Sequence, residues 1–300
     1  MDERQLEYFV AVAEELSFTR AAAKLFVVQS TVSASIRALE HSLDARLLQR
    51  TSKSVNLTEA GRAFLPEAKA ALDVLGRARA TVRDTDAGLR GALRVGTLSG
   101  MTALNSAAMA RRFAQLHPQV SLYLETSPSG SSGLLDKVRN ATLDVAFVSV
   151  ASPSDALGVE PRSLRTLPLR VLLPPGHRLS TRKSVRLSDI ASDPFVDMPV
   201  GFGIRTLLDD AFRRARLTRS ISVQAADLTT IPDFVAAGLG TAVVPDMSRS
   251  EELGLTSTAI TGATLTWTLS AVVRAGADTS RAARALLELA PTFLSDRPVY

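Results

Sequence analysis

The chain has 300 residues, 46% of them hydrophobic and 22% charged, with a formal net charge of +5 and no cysteine. That length suits two or three compact units, and the missing thiol excludes disulfides, Cys-ligated metals and a cysteine nucleophile together. No apolar run is long enough to cross a bilayer and the start, Met1-Asp2-Glu3-Arg4, lacks the profile of a secretory leader, so a cytoplasmic protein without a membrane partner is expected. In chain order, Leu6, Phe9, Val10 and Ala13 recur at helical spacing and predict a first helix with one buried stripe. Ser17 then offers an N-cap for a helix over 18–26, whose Ala21, Ala22 and Leu25 suit close packing.

Val27-Val28 connects to a third helix from about Gln29 to His41, with Val32, Ile36, Leu39 and Leu43 inward. Two short helices in such close succession describe a helix-turn-helix. The outer face of the second is Gln29, Ser30, Thr31, Ser33, Ala34 and Arg37. Base edges in a major groove need short hydrogen-bonding groups of this kind, although a polar solvent face would look the same. Charge points the same way without deciding it. The acids Asp2, Glu3, Glu7, Glu14 and Glu15 belong to the first helix, while Arg20, Lys24, Arg37, Arg46, Arg50 and Lys53 follow it against only Glu40 and Asp44 up to Thr58.

Residues 46–51 and 54–58 alternate like two strands turning at Ser52-Lys53, a wing that would carry Arg50 and Lys53 to phosphates. Thr58 caps a long helix to about Thr85, on which Phe64, Ala68, Leu72, Leu75 and Val82 form a stripe. A stripe on so long a helix wants a partner, most simply its own copy in a dimer, so Phe64, Ala68, Leu72 and Leu75 are expected to form the seam.

Residues 5–61 resemble the N-terminal signature of LysR-type transcriptional regulators: the SFTRAAAKL helix, the Gln-Ser-x-Val-Ser start of the third helix, its Ile-x-x-Leu-Glu continuation and the LTEAG opening of the long helix all agree in order and spacing. Val28 departs from the family's usual capping Ser, and Leu48 from its usual Phe. The resemblance implies a winged helix-turn-helix over 1–58, a dimerising linker helix over 59–90 and an effector-binding domain over 91–300. It further implies a double-stranded DNA operator, a small-molecule effector, and a homodimer or homotetramer.

Beyond Gly91, short apolar strands alternate with helices: strands over 92–97, 120–126, 145–150, 167–173, 220–224, 241–244 and 265–275, and helices over 107–117, 134–140, 206–214, 232–237 and 280–293. Alternation of this kind predicts a mostly parallel, doubly covered sheet. LysR regulators are similar to periplasmic binding proteins here, which implies two α/β lobes crossed twice, near Ser163 and Trp267: lobe 1 over 91–163 and 268–300, lobe 2 over 164–267. Ligands of open α/β sheets sit beyond strand carboxyl ends at helix N-termini. Effector contacts are therefore expected from Ser99, Gly100, Met101 and Thr102, from Ser129, Gly130 and Ser131, from Phe202 and Gly203, and from Thr229 and Pro245. Arg205 and the hydroxyls nearby suggest an anionic or polar metabolite.

An enzyme reading finds no support. His41, His117 and His177 lie apart in sequence, there is no Gly-x-Ser-x-Gly elbow or phosphate loop, and neither a metal nor a cofactor is implied. The competing possibility, a cytoplasmic small-molecule binding protein without a DNA role, fits the last two hundred residues but leaves the helix-turn-helix without a purpose.

Overall fold

The computed structural model describes residues 1–50, 55–83, 89–100, 102–246 and 252–295, and divides into two compact units, Met1–Asp86 and Ala87–Tyr300. In the first, α1 (Glu3–Glu15) opens on a capping box between Asp2 and Gln5. The Ser17 hydroxyl accepts from the Arg20 amide and starts α2 (Phe18–Lys24). This helix ends with the amides of Phe26 and Val27 donating to the carbonyls of Ala23 and Ala22, while Phe26 takes φ +56°. Glycine suits that left-handed position; a side chain there costs roughly 1 kcal/mol. Next comes α3 (Gln29–Ser42), whose N-cap, Val28, makes no side-chain bond. Leu6, Phe9 and Val12, Ala21 and Ala22, and Val32, Ile36 and Leu39 from the three helices share one core.

The strands β1 (Leu48–Arg50) and β2 (Val55–Leu57) pair antiparallel, Leu48 opposite Leu57, and the turn predicted at Ser52-Lys53 lies outside the described residues. Two side chains fasten this hairpin. A Glu40 oxygen, at the far end of α3, accepts from the amides of Leu47 and Leu48 at 2.8 and 3.0 Å. The Thr58 hydroxyl accepts from Gly61 N–H at 2.9 Å and donates to the Arg46 carbonyl at 2.6 Å, capping α4 (Glu59–Arg83).

Part of the α4 stripe expected to form a dimer seam packs within the chain. The Phe64 ring lies 5.3 Å from that of Phe9, Ala68 is 1% exposed, Leu72 packs against the same core, and Lys69 pairs with Glu14 at 2.8 Å. The ammonium of Lys69 holds the Glu14 carboxyl below its ordinary value. Within the chain the helix that meets this part of the stripe is α1. Of the four seam candidates only Leu75 is left open, at 39%, beside the exposed Val74.

In the second unit β3 (Gly91–Gly96), α5 (Ser106–Leu116), β4 (Val120–Glu125), α6 (Gly130–Arg139) and β5 (Val145–Ser149) form one half, with β3 parallel to both its neighbours. Then β6 (Val159–Leu173) runs as one 15-residue strand into the other half. That half holds β7 (Ser184–Val185), α7 (Leu187–Ile190), β8 (Pro194–Asp197), α8 (Gly203–Arg214), β9 (Ser220–Gln224), α9 (Ile231–Ala236), β10 (Ala242–Pro245) and β11 (Thr256–Ile260). The chain returns through β12 (Thr266–Arg274) and closes on α10 (Arg281–Leu289).

The long sheet has the order β4-β3-β5-β12-β6-β11-β7, and β10 also pairs with β6. It is mixed rather than mostly parallel. The crossing strands β6 and β12 run in opposite directions because one leaves a half and the other returns to it, so they pair antiparallel from Val159 opposite Arg274 to Pro168 opposite Thr266. Among the described residues, parallel strand pairs are β3 with β4 and β5, β7 with β11, and β8 with β9.

Gly61 sits so close to the Leu47 carbonyl oxygen that a Cβ there would overlap it. Gly61→Ala should therefore destabilise the first unit by roughly 2 kcal/mol, as overpacking does, read as a lower urea midpoint by circular dichroism.

Candidate functional sites

On α3 the residues Gln29, Ser30, Thr31, Ala34 and Arg37 are exposed on one stretch of surface. Ser33 is not among them. At 8% exposure it is turned inward with its neighbours Val32 and Ile36, a correction to its expected place on the outer face. A small hydroxyl can enter a core where its hydrogen bonding is met, so residue type alone did not mark its side. Two of the cations expected to face outward are spent locally: Lys24 pairs with Glu14 and Glu15, and Arg20 with Glu15. Among the described residues no ion pair engages Arg37. Arg50 ends β1, and Lys53 lies outside the described residues.

The second unit encloses a cleft of about 660 Å³, its open mouth included. Seven of the expected effector residues line it: Ser99, Gly100 and Thr102 after β3, Ser131 in the first turn of α6, Phe202 and Gly203 at the start of α8, and Pro245 ending β10. Ser131 also accepts from the Ser149 amide at 3.2 Å. Three others are not on its wall. Ser129 is exposed, Gly130 lies beneath the Phe202 ring, and the Thr229 hydroxyl is used on Asp227 at 2.7 Å. Met101 lies outside the described residues.

Sequence reasoning missed the floor of the cleft. Arg165 and Leu167 on β6 and Trp267 on β12 line it, with Trp267 paired opposite Leu167. The register slips between Leu269 and Ser270, which pair with Arg165 and Ser163, so Leu164 is the extra residue of a bulge beside Arg165. A bulge re-aims the side chains next to it. The readable signal was the period of two in a strand placed at the crossing, which puts residues 165 and 167 on one face.

Arg205, expected to hint at an anion, is not a cleft residue. It donates to Asp209 at 2.9 Å and to the Met198 carbonyl at 3.2 Å, and lies 3.9 Å from the buried Asp197. Asp197 is held more closely by Arg219 at 2.6 Å, whose guanidinium stacks over Phe212. Among the described residues, the cation that lines the cleft is Arg165.

Glycines bring the two sides of the cleft together. Both the amide and the hydroxyl of Ser132 donate to the Gly201 carbonyl at 3.1 Å. A Cβ on Gly130 would meet the Phe202 ring at 2.7 Å, one on Gly201 the Ser129 carbonyl at 2.6 Å, and one on Gly203 the Ser149 side chain at 2.5 Å. Gly100 presses likewise on Asp227 and Thr229 from the opposite half.

A helix-turn-helix with a two-stranded wing, together with a two-halved α/β unit around a cleft, defines a class that couples DNA binding to a ligand. Residues 3–62 match the bacterial regulatory helix-turn-helix protein of the lysR family, and residues 86–294 the LysR substrate binding domain. An Escherichia coli (strain K12) protein described as an uncharacterized HTH-type transcriptional regulator, YnfL, is 34% identical over 253 residues, 83% of this chain and 84% of that one. The chain belongs to the LysR family and is a DNA-binding transcriptional regulator with an effector-binding domain. In fold it resembles full-length CbnR complexed with its target DNA, with TM-score 0.65 and 23% identity over 97% of this chain and 99% of that one. The effector binding domain of QuiR in complex with shikimate is also similar, with TM-score 0.59 and 17% identity over 69% of this chain and 98% of that one.

Among the described residues no group of His, Cys, Asp or Glu is placed to hold a metal, and no helix is long and apolar enough to cross a membrane. Trp267 is the chain's one tryptophan, 5% exposed in the cleft wall. Gly130→Ala should push Phe202 from its seat, lower stability by roughly 1–3 kcal/mol and move Trp267 emission to longer wavelength.

Proposed function

We propose that a small-molecule effector binds in the cleft between the two halves of the second unit and changes the affinity of the first unit for its operator. The observation that carries this is a cleft walled from both halves and floored by both crossing strands. A ligand touching both halves gains the differential affinity that selects one arrangement of them. A tenfold change in DNA affinity needs only about 1.4 kcal/mol of coupling. The contacts we assign are Ser99, Gly100, Thr102, Ser131, Phe202, Gly203 and Pro245, with Arg165 and Trp267 added from the floor. Similarity to the QuiR domain makes shikimate a sensible first probe among polar metabolites.

On the DNA side, Gln29, Ser30, Thr31 and Ala34 meet base edges, Arg37 meets base or phosphate, and Arg50 and Lys53 reach phosphates from the wing. The active form is a homodimer, or a homotetramer built from it, on double-stranded DNA in the cytoplasm, and its role is regulatory rather than catalytic.

Thermal-shift screening of the full chain against a metabolite panel that includes shikimate tests the cleft. A compound that raises the melting temperature and perturbs Trp267 emission should lose both effects in Thr102→Val or Ser131→Ala; binding unchanged in both variants would place the effector elsewhere. Lys53→Ala should weaken all DNA sequences about equally and flatten the salt slope by roughly one unit. An unaltered slope would take the wing out of the interface.

A further inference from the structure

Phe26 is 95% exposed, the most exposed of the large hydrophobic residues described, and Val28 is 66% exposed two positions later. Between and before them, Val27 and Leu25 are turned inward against the core of the first unit. The backbone that alternates in this way is fixed, because the amides of Leu25, Phe26 and Val27 donate to the carbonyls of Ala21, Ala23 and Ala22. The two apolar side chains are therefore held outward on a rigid turn.

Folding explains neither residue. Phe26 occupies a left-handed position that glycine fills with less strain, and Val28 occupies an N-cap where an oxygen would accept from the helix amides. Both choices go against local stability, both present apolar surface to water, and both stand in the turn that leads from α2 into α3. The exposed surface continues directly into Gln29, Ser30 and Thr31, and residues 25–36 contain no acid to repel phosphate. The apolar patch is thus continuous with the face assigned to DNA. The apolar group that base pairs offer on the major-groove edge is the C5 methyl of thymine.

We propose that Phe26 and Val28 recognise thymine methyl groups at the margin of the bases read by α3, and so set part of this chain's operator preference. The proposal rests on the DNA-reading role of α3. It predicts an opposition between stability and recognition. Phe26→Gly relieves the left-handed strain and Val28→Ser supplies the missing cap, so each variant should melt at a higher temperature than the parent while binding thymine-bearing sites less well.

Selection from a random-sequence duplex library with the full chain gives its preferred site. That duplex is then remade with each thymine in turn replaced by deoxyuridine, which removes only the methyl group, and binding is followed by fluorescence anisotropy. One or two replacements should weaken parent binding by roughly 4-fold each, the equivalent of one buried methyl group. The same replacements should have no effect on Phe26→Gly or Val28→Ser. If no position is sensitive to the methyl, or if both variants keep the parent's sensitivity, the proposal is overturned while base reading by α3 stands. Failure to enrich any site would overturn that reading too. DNA binding identical to the parent in both variants, together with weakened self-association, would assign the pair to a protein contact and overturn the proposal.

Discussion

The antiparallel pairing of β6 with β12 is the constraint on which the second unit depends. These two strands carry the chain out of one half and back, and their ladder runs unbroken except for the single bulge at Leu164. A two-strand ladder resists shear but twists readily. It therefore fixes the distance between the halves more firmly than their relative rotation. The cleft takes its floor from this ladder, and Arg165, Leu167 and Trp267 are set by the register of one strand on the other. The contacts above that floor are then made through glycines, where backbone meets side chain without an intervening Cβ. Such contacts are quickly spoiled by any added atom.

How much of this was legible from residues alone varies along the chain. The first three helices were readable because their apolar spacing is regular and Ser17 marks a boundary by its own hydrogen bond. The α4 stripe was readable as a packing surface but not as to its partner: periodicity shows that Phe64 and Ala68 need a neighbour, and says nothing of which chain supplies it. Ser33 was misplaced for a related reason, since a hydroxyl one step from the helix's buried line satisfies either environment. The loops beyond the strands of the second unit were readable from the α/β alternation, and seven of their expected residues meet around one cleft. Its floor was not, because Arg165 and Trp267 belong to no motif. They become neighbours only because Leu167 pairs with Trp267 and Arg165 with Leu269; the period of two could put 165 and 167 on one face but not bring β12 beside them.

The motif residues of the first unit also divide by role. Glu40, Thr58 and Gly61 look in sequence like marks of a DNA-binding family, yet their work is internal: a carboxylate on two amides, a hydroxyl bridging a strand and a helix, and a glycine admitting a carbonyl. The exposed residues of α3 carry no such constraint. A scaffold of this kind lets the reading face vary while the frame that presents it stays the same.

The Glu40 carboxylate has a mechanical consequence. It grows from the same helix that carries Gln29 to Arg37 and grips the first strand of the wing at its root, so helix and hairpin form one stiff jaw. The span from the exposed face of α3 to the root of the hairpin is then set by covalent geometry and two hydrogen bonds of 2.8 and 3.0 Å. It cannot stretch to suit a misplaced strand of DNA. With DNA held as proposed, a duplex whose groove is too wide or too narrow would itself have to deform, and this jaw would sort sequences by how readily they bend as well as by the letters they present.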